Sequence, residues 1–264
     1  MKGLGFSANL GFLWADLPLP DAIRAAARAG FAAVECHWPY VHDPADVRAA
    51  LEETGLRMVS LNTDPGDRAA GDFGLAAVAG REAEARRAID EAVDYARAID
   101  AEAVHVMAGR AEGDYARGLF VEALAHACYR AIGRTVLIEP INRQDVPGYF
   151  LHRVEDALSL LADVGAPNLK IMFDFYHVQR SQGDVTRRFH EALSHIGHVQ
   201  IAAVPDRGVP DHGELSYDHV FRVLGGSGYS GLVGAEFRPD GRPEQALRRM
   251  RRLQRGVAAK GSAG

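Results

Sequence analysis

The chain has 264 residues, 47% of them apolar, and a formal net charge of −5 in which Arg and Glu are intermixed rather than blocked. That length suits one domain with a sizeable core, at the usual size of a single α/β barrel, and the charge gives no footprint for nucleic acid or an anionic membrane, which leaves small metabolites as the expected partners. Two cysteines, Cys36 and Cys128, make neither a disulfide framework nor a Cys-x-x-Cys metal knuckle, and no apolar run suits a signal peptide or a bilayer span, so a cytoplasmic location is expected.

Strand-like apolar runs alternate with helical patterns along the whole chain, the signature of parallel α/β architecture. The predicted strands are 4–9, 31–36, 57–62, 101–107, 135–140, 169–175, 197–203 and 231–237. Between them Ala, Leu, Ile and Val recur at helical spacing with Arg and Glu on the opposite face, as in 82–99. Pro20, Pro44 and Asp184 stand near helix starts, and Gly30, Gly55 and Gly165 close helices. Eight such units close most naturally as a (β/α)8 TIM barrel, although an open doubly wound sheet has similar periodicity. No Gly-x-Gly-x-x-Gly follows the first strand, so the dinucleotide fold loses its best support. The barrel is assigned to 1–256, and the small-residue tail 257–264 is expected to fray.

Four segments, IEPIN (138–142), MFDFYH (172–177), HVQIA (198–202) and GAEFRP (234–239), each place an oxygen-bearing side chain near the end of a strand. In a barrel, Glu139, Asp174, Gln200 and Glu236 converge on one mouth, the C-terminal rim where such folds carry their active residues. Unpaired buried carboxylates cost several kcal/mol or change their protonation, and a hard divalent cation resolves the conflict. Oxygen ligands favour Mg²⁺ or Mn²⁺; His177 and His198 keep Zn²⁺ as an alternative. His198 and Gln200 share one strand face, so one serves as ligand and the other stands behind it.

His177 falls just past its strand, where it is placed to orient a substrate oxygen or a metal-bound group. Arg207 follows strand seven, and its planar fork suits a substrate carboxylate. Asn62, His105, Glu35 and His37 are placed to line the mouth. Lysine is limited to Lys2, Lys170 and Lys260; Lys170 starts its strand, at the opposite face from the mouth, which argues against Schiff-base chemistry. Two glutamates flanking a metal-held α-hydroxycarbonyl suit proton transfer between adjacent carbons through an ene-diolate. The same pair could epimerise a carbon.

The segments FSANLGFLW (6–14), GFAAVECHWPY (30–40), NTDPGD (62–67), AVAGRE (77–82), LIEPINRQDVPGYFL (137–151), PNLKIMFDFYHVQRSQGD (167–184), IGHVQIAAVPDRGVPDHGELSYDHVF (196–221) and GYSGLVGAEFRP (228–239) together resemble the hydroxypyruvate isomerase family. The resemblance covers nearly the whole chain and implies a xylose-isomerase-like TIM barrel. It implies Glu139 and Glu236 as proton donor and acceptor, and a divalent metal held by Glu139, Asp174, Gln200 and Glu236. By the same comparison His177 and Arg207 match substrate-contacting positions and Asp145 a partner behind the ligands. Related epimerases carry histidine where this chain has Gln200, so the glutamine fits the isomerase branch. Segment 109–134 is shorter than the family's pattern, which puts the fourth helix and a covering loop in question.

The expected activity is isomerisation of hydroxypyruvate to 2-hydroxy-3-oxopropanoate (tartronate semialdehyde), with 2-oxo-tetronate isomerisation and ketose 3-epimerisation as alternatives on the same glutamate pair. From other classes come an abasic-site endonuclease, which needs more metal-binding histidines and a basic groove, and a non-catalytic sugar-acid binding protein. Homo-oligomerisation is left open by the sequence.

Overall fold

A computed structural model describes residues 4–261, and the side chains up to 253. Eight strands, β1 (Phe6–Asn9), β2 (Ala33–Cys36), β3 (Arg57–Asn62), β4 (Ala103–His105), β5 (Thr135–Ile138), β6 (Leu169–Asp174), β7 (Ile196–Ile201) and β8 (Val233–Ala235), follow one another around a closed barrel. Every neighbouring pair is parallel, and β8 closes on β1 with Ser7 opposite Gly234. This excludes the open doubly wound alternative. The ladders are shorter than the apolar runs because the chain leaves the sheet as it turns outward at the rim; Glu139 and Glu236 thus lie one residue beyond β5 and β8.

The helices are α1 (Leu19–Ala29), α2 (Pro44–Thr54), α3 (Glu82–Ile99), α4 (Gly113–Arg130), α5 (Val154–Val164), α6 (Phe175–Ser181), α7 (Val185–Ala192), α8 (Tyr217–Gly226) and α9 (Pro243–Gly261). The short 109–134 segment therefore retains a full fourth helix, with Phe120, Leu124 and Ala127 on its buried face. On α3, Ala85, Ala88, Ile89, Ala92, Val93, Ala96 and Ile99 are buried at helical spacing. Asp43 caps α2, its side chain accepting from the Ala45 N–H at 2.8 Å beside Pro44. Gly30 ends α1 at φ 90°, a conformation costly for any residue with a Cβ. After β6 the chain makes two short helices, and Phe173, Phe175 and Phe189 stack with centroids 5.0 to 5.6 Å apart, fixing the strand end that carries Asp174. Of the tail 257–264, α9 extends to Gly261, and 262–264 lie outside the described residues. No helix among the described residues is long and apolar enough to cross a membrane.

Strand parity sorts the lumen. Two residues below the site residues, Leu137 and Met172 pack with Ala103 as a small apolar cluster. The other side of the lumen is polar: Glu35 meets His198 Nε2 at 2.7 Å and Ser60 Oγ at 3.5 Å. Glu35, expected at the mouth, instead lies inside the barrel, 1% exposed, held there by these two partners. Gly234 makes room for this pair, since a Cβ there would stand 2.3 Å from Glu35 Oε1 and 2.9 Å from His198 Nε2. Replacing Gly234 by Ala is expected to cost about 1–3 kcal/mol through overpacking, read as a lower denaturation midpoint, whereas Gly226→Ala, which meets nothing within 4 Å, should leave the midpoint nearly unchanged.

Candidate active site

The C-terminal ends of the strands surround a cleft of about 540 Å³ whose lining includes Asn62, His105, Glu139, Asp145, His177, Gln200, Arg207 and Glu236. Asp174 is buried at the end of β6, 1% exposed, with Oδ1 accepting the Tyr176 N–H at 2.8 Å. His177, from the first turn of α6, brings Nε2 to 3.7 Å from both Glu139 Oε1 and Asp174 Oδ2. These three are close enough to hold one metal ion together. Gln200 stands beside Asp174 across the β6–β7 ladder. Its amide nitrogen donates to Glu236 Oε2 and, at 3.4 Å, to Glu35 Oε2. Both amide hydrogens are therefore engaged from one side, and the carbonyl oxygen faces the other way.

Arg207 leaves the β7–α8 loop at φ 56°, a left-handed conformation held by hydrogen bonds from its own N–H to Ala203 O and from Arg238 N–H to its carbonyl. Its guanidinium lies over the rings of Phe12 and Tyr176, at 4.8 and 5.0 Å, donates to Glu236 Oε1 and stands 3.9 Å from Asp174 Oδ2. Both carboxylate contacts come from Nη2, while Nε has no hydrogen-bond partner. His105 joins Asn62 at 3.3 Å and approaches Glu139 Oε2 at 3.8 Å. His198 lies one layer lower, on Glu35, and reaches the mouth only through Glu35 and Gln200.

The donor set fits a hard cation. Glu139 Oε1, Asp174 Oδ2 and Gln200 Oε1 are buried oxygens without a hydrogen-bond partner, an arrangement that is costly unless a cation completes it. Three carboxylates share one buried guanidinium. Burial, with Glu236 and Asp174 nearby, drives the Glu139 carboxyl well above its ordinary range. Burial likewise pushes Glu236 up to about 8 and Asp174 up to about 6, with Arg207 opposing both. Desolvation lowers His105 to about 3 and, helped by Arg207 and Arg68, His37 to about 4, so both rings are neutral.

Some contributors escaped the sequence reading. Asn9, the last residue of β1, donates to Glu236 Oε2 at 2.8 Å; it ends a strand on the inward parity, and that rule could have found it. Asn142, Tyr176 and Arg180 surround Asp145, which accepts from the Tyr176 hydroxyl at 2.7 Å and pairs with Arg180 at 3.0 Å. No local pattern marks these contacts.

With folded-state pKa values raised, the metal-free folded chain retains protons that the unfolded chain releases. This stabilisation is complete below the ordinary glutamate value of 4.5 and is lost as pH rises through about 6 and then about 8. The melting temperature of chelator-treated protein should therefore fall between about pH 5 and about pH 8.5, and excess Mg²⁺ or Mn²⁺ should flatten that slope by offsetting the bared charge.

Comparison with known proteins places this geometry. Residues 23–255 match the xylose isomerase-like TIM barrel family model. The chain is 47% identical over 240 residues to 2-oxo-tetronate isomerase of Cupriavidus necator, covering 89% of this chain and 92% of that protein. It is 38% identical to hydroxypyruvate isomerase of Escherichia coli, covering 94% and 98%. The crystal structure of an AP endonuclease, family 2, from Brucella melitensis superposes with a TM-score of 0.89 at 40% identity, over 92% of this chain and 96% of that one. The chain belongs to the xylose isomerase-like TIM barrel family, and within it to the isomerases.

Proposed function

We propose that the protein interconverts hydroxypyruvate and 2-hydroxy-3-oxopropanoate by proton transfer between neighbouring carbons. The carrying observation is that Glu139 and Glu236 enter one cleft from separate strands, β5 and β8, with burial raising the Glu139 carboxyl and pushing Glu236 up to about 8, so that both hold a proton more readily than an exposed glutamate. One removes the proton from the carbon bearing the hydroxyl, the hydroxyl proton passes to the former carbonyl oxygen, and the other glutamate returns a proton to the adjacent carbon of the ene-diolate. Glu139, Asp174, Gln200 and Glu236 would hold the metal. A divalent cation, Mg²⁺ or Mn²⁺ with Zn²⁺ as the alternative, supplies positive charge against the oxyanion that develops on the substrate. His177 and His105 stand where they meet substrate oxygens, with Asn62 holding the His105 ring and Arg207 holding Glu236 in place.

The substrate carboxylate needs a cation of its own. Arg207 Nη2 is already paired with Glu236, and Arg180 is shared between Asp145 and the Tyr176 hydroxyl. Arg68 lines the same cleft, lies 4.7 Å over the Trp38 ring and has no carboxylate partner among the described residues. We assign it the acid. Guanidinium stacking leaves its planar edge free for a bidentate contact.

The four-carbon 2-oxo-tetronate is a second reading, favoured by the Cupriavidus relative and by a cleft with space for an extra carbon. A nucleic-acid substrate, suggested by the name of the Brucella structure, has little support from a net charge of −5 and a narrow acidic site.

Assays with both acids, with and without chelator, test the reading: Mg²⁺- or Mn²⁺-dependent turnover of at least one is expected, and turnover of neither would refute it. Glu139→Gln and Glu236→Gln should each lower kcat by about a thousandfold while ligand binding persists, which separates an enzyme from a sugar-acid binder. Arg68→Met should raise KM about tenfold or more with a smaller change in kcat, as expected for a charge-assisted contact that is equal in ground and transition states.

A further inference from the structure

The geometry points to Asn142 as the positioning residue that fixes the proton of His177 on Nε2, making this histidine a hydrogen-bond donor into the cleft and excluding it as a metal ligand. The inference follows from hydrogen-bond accounting around two backbone N–H groups, whose direction cannot be reversed. The Asp145 N–H donates to Asn142 Oδ1 at 2.8 Å. That identifies the other end of the amide as the NH₂. The NH₂ lies 2.7 Å from His177 Nδ1 and 3.1 Å from Asp145 Oδ2, one hydrogen for each. The Asn142 backbone N–H also points at Nδ1, at 3.3 Å. With donors on both sides, Nδ1 has to be the acceptor and carries no proton. An imidazole with a bare Nδ1 carries its proton on Nε2.

Nε2 is the atom that faces Glu139 Oε1 and Asp174 Oδ2, both at 3.7 Å. Proximity alone groups Glu139, Asp174 and His177 as a metal triad. The tautomer opposes this: a metal-ligating histidine donates its remote N–H to an acceptor behind it, and here the remote nitrogen accepts instead. A protonated Nε2 has no lone pair for a cation. It has a hydrogen for the substrate oxygen on which negative charge develops, a role that rests on the isomerase reading above. Asp145 then acts at one remove. Braced by Tyr176 and Arg180, it orients Asn142, which in turn orients His177.

The substitution Asn142→Asp tests this because it keeps the shape and the Oδ1 acceptor while replacing the NH₂ with an acceptor oxygen. The proton on His177 should then move to Nδ1. Long-range ¹H–¹⁵N correlation spectra of histidine-labelled protein with Mg²⁺ read the tautomer directly, with the His177 signals assigned by their loss in His177→Phe. The wild type should show a protonated Nε2 and a bare Nδ1, and Asn142→Asp the reverse, with kcat lowered about 10- to 100-fold and KM changed less. Asn142→Ala, which leaves only the longer backbone contact at 3.3 Å, should lose part of the Nε2-protonated population with a smaller fall in kcat and serves if the aspartate variant does not fold; an unaltered tautomer in both variants would also overturn the assignment. A wild-type spectrum with the proton on Nδ1 would overturn the assignment, as would an Asn142→Asp enzyme with a reversed tautomer and unaltered kcat. Because the spectrum needs no substrate, failure of the isomerase assay and failure of the tautomer assignment are separately visible.

Discussion

The structure is organised around a surplus of buried negative charge. Glu139 and Asp174 bring oxygens within 4.8 Å of each other at the rim, Arg207 joins Asp174 to Glu236, and Glu35 lies beneath them. Desolvated carboxylates of this kind are unstable unless neutralised by protons or by a cation. With a divalent ion in place, the three rim carboxylates and Arg207 sum to electrical neutrality, so a substrate's own carboxylate has no claim on any inner charge. This is the physical reason to place the acid outward, near Arg68 and Trp38, with the reacting carbons inward between the two glutamates.

The fold supplies the rigidity that such a centre needs. Glu139, Asp174, Gln200 and Glu236 each come from the end of a different strand, and each strand is fixed on both sides by its neighbours in a closed sheet. The packing behind Asp174, built from three phenylalanines, and the absent side chain at Gly234 are the two places where core packing sets the position of a charged group most directly.

Much of this was legible in the sequence. Strand positions followed from apolar runs, and the rule that barrels carry polar residues at strand ends was enough to select Glu139, Asp174, Gln200 and Glu236, because the rim lies at a fixed place relative to each run. Asn9 obeys the same rule and was missed because an amide after FSA gives no charge conflict to explain. Glu35 shows a different limit: the strand end at Cys36 is as expected, but the hydrogen bonds to His198 and Ser60 that hold Glu35 in the lumen depend on partners from other strands. The roles of Arg207, Arg68 and Asn142 were not legible, since they depend on which loops meet across the cleft. A free arginine and a paired one look identical in sequence.

Gln200 carries a consequence of a different kind. Its amide nitrogen donates to Glu236 and Glu35, which leaves its buried carbonyl oxygen without a partner. A histidine in that place would lose its lone pair on acidification; an amide has nothing to titrate. As a ligand, Gln200 would add no titrating lone pair of its own, so loss of a cation in mildly acidic medium would have to start at the carboxylates.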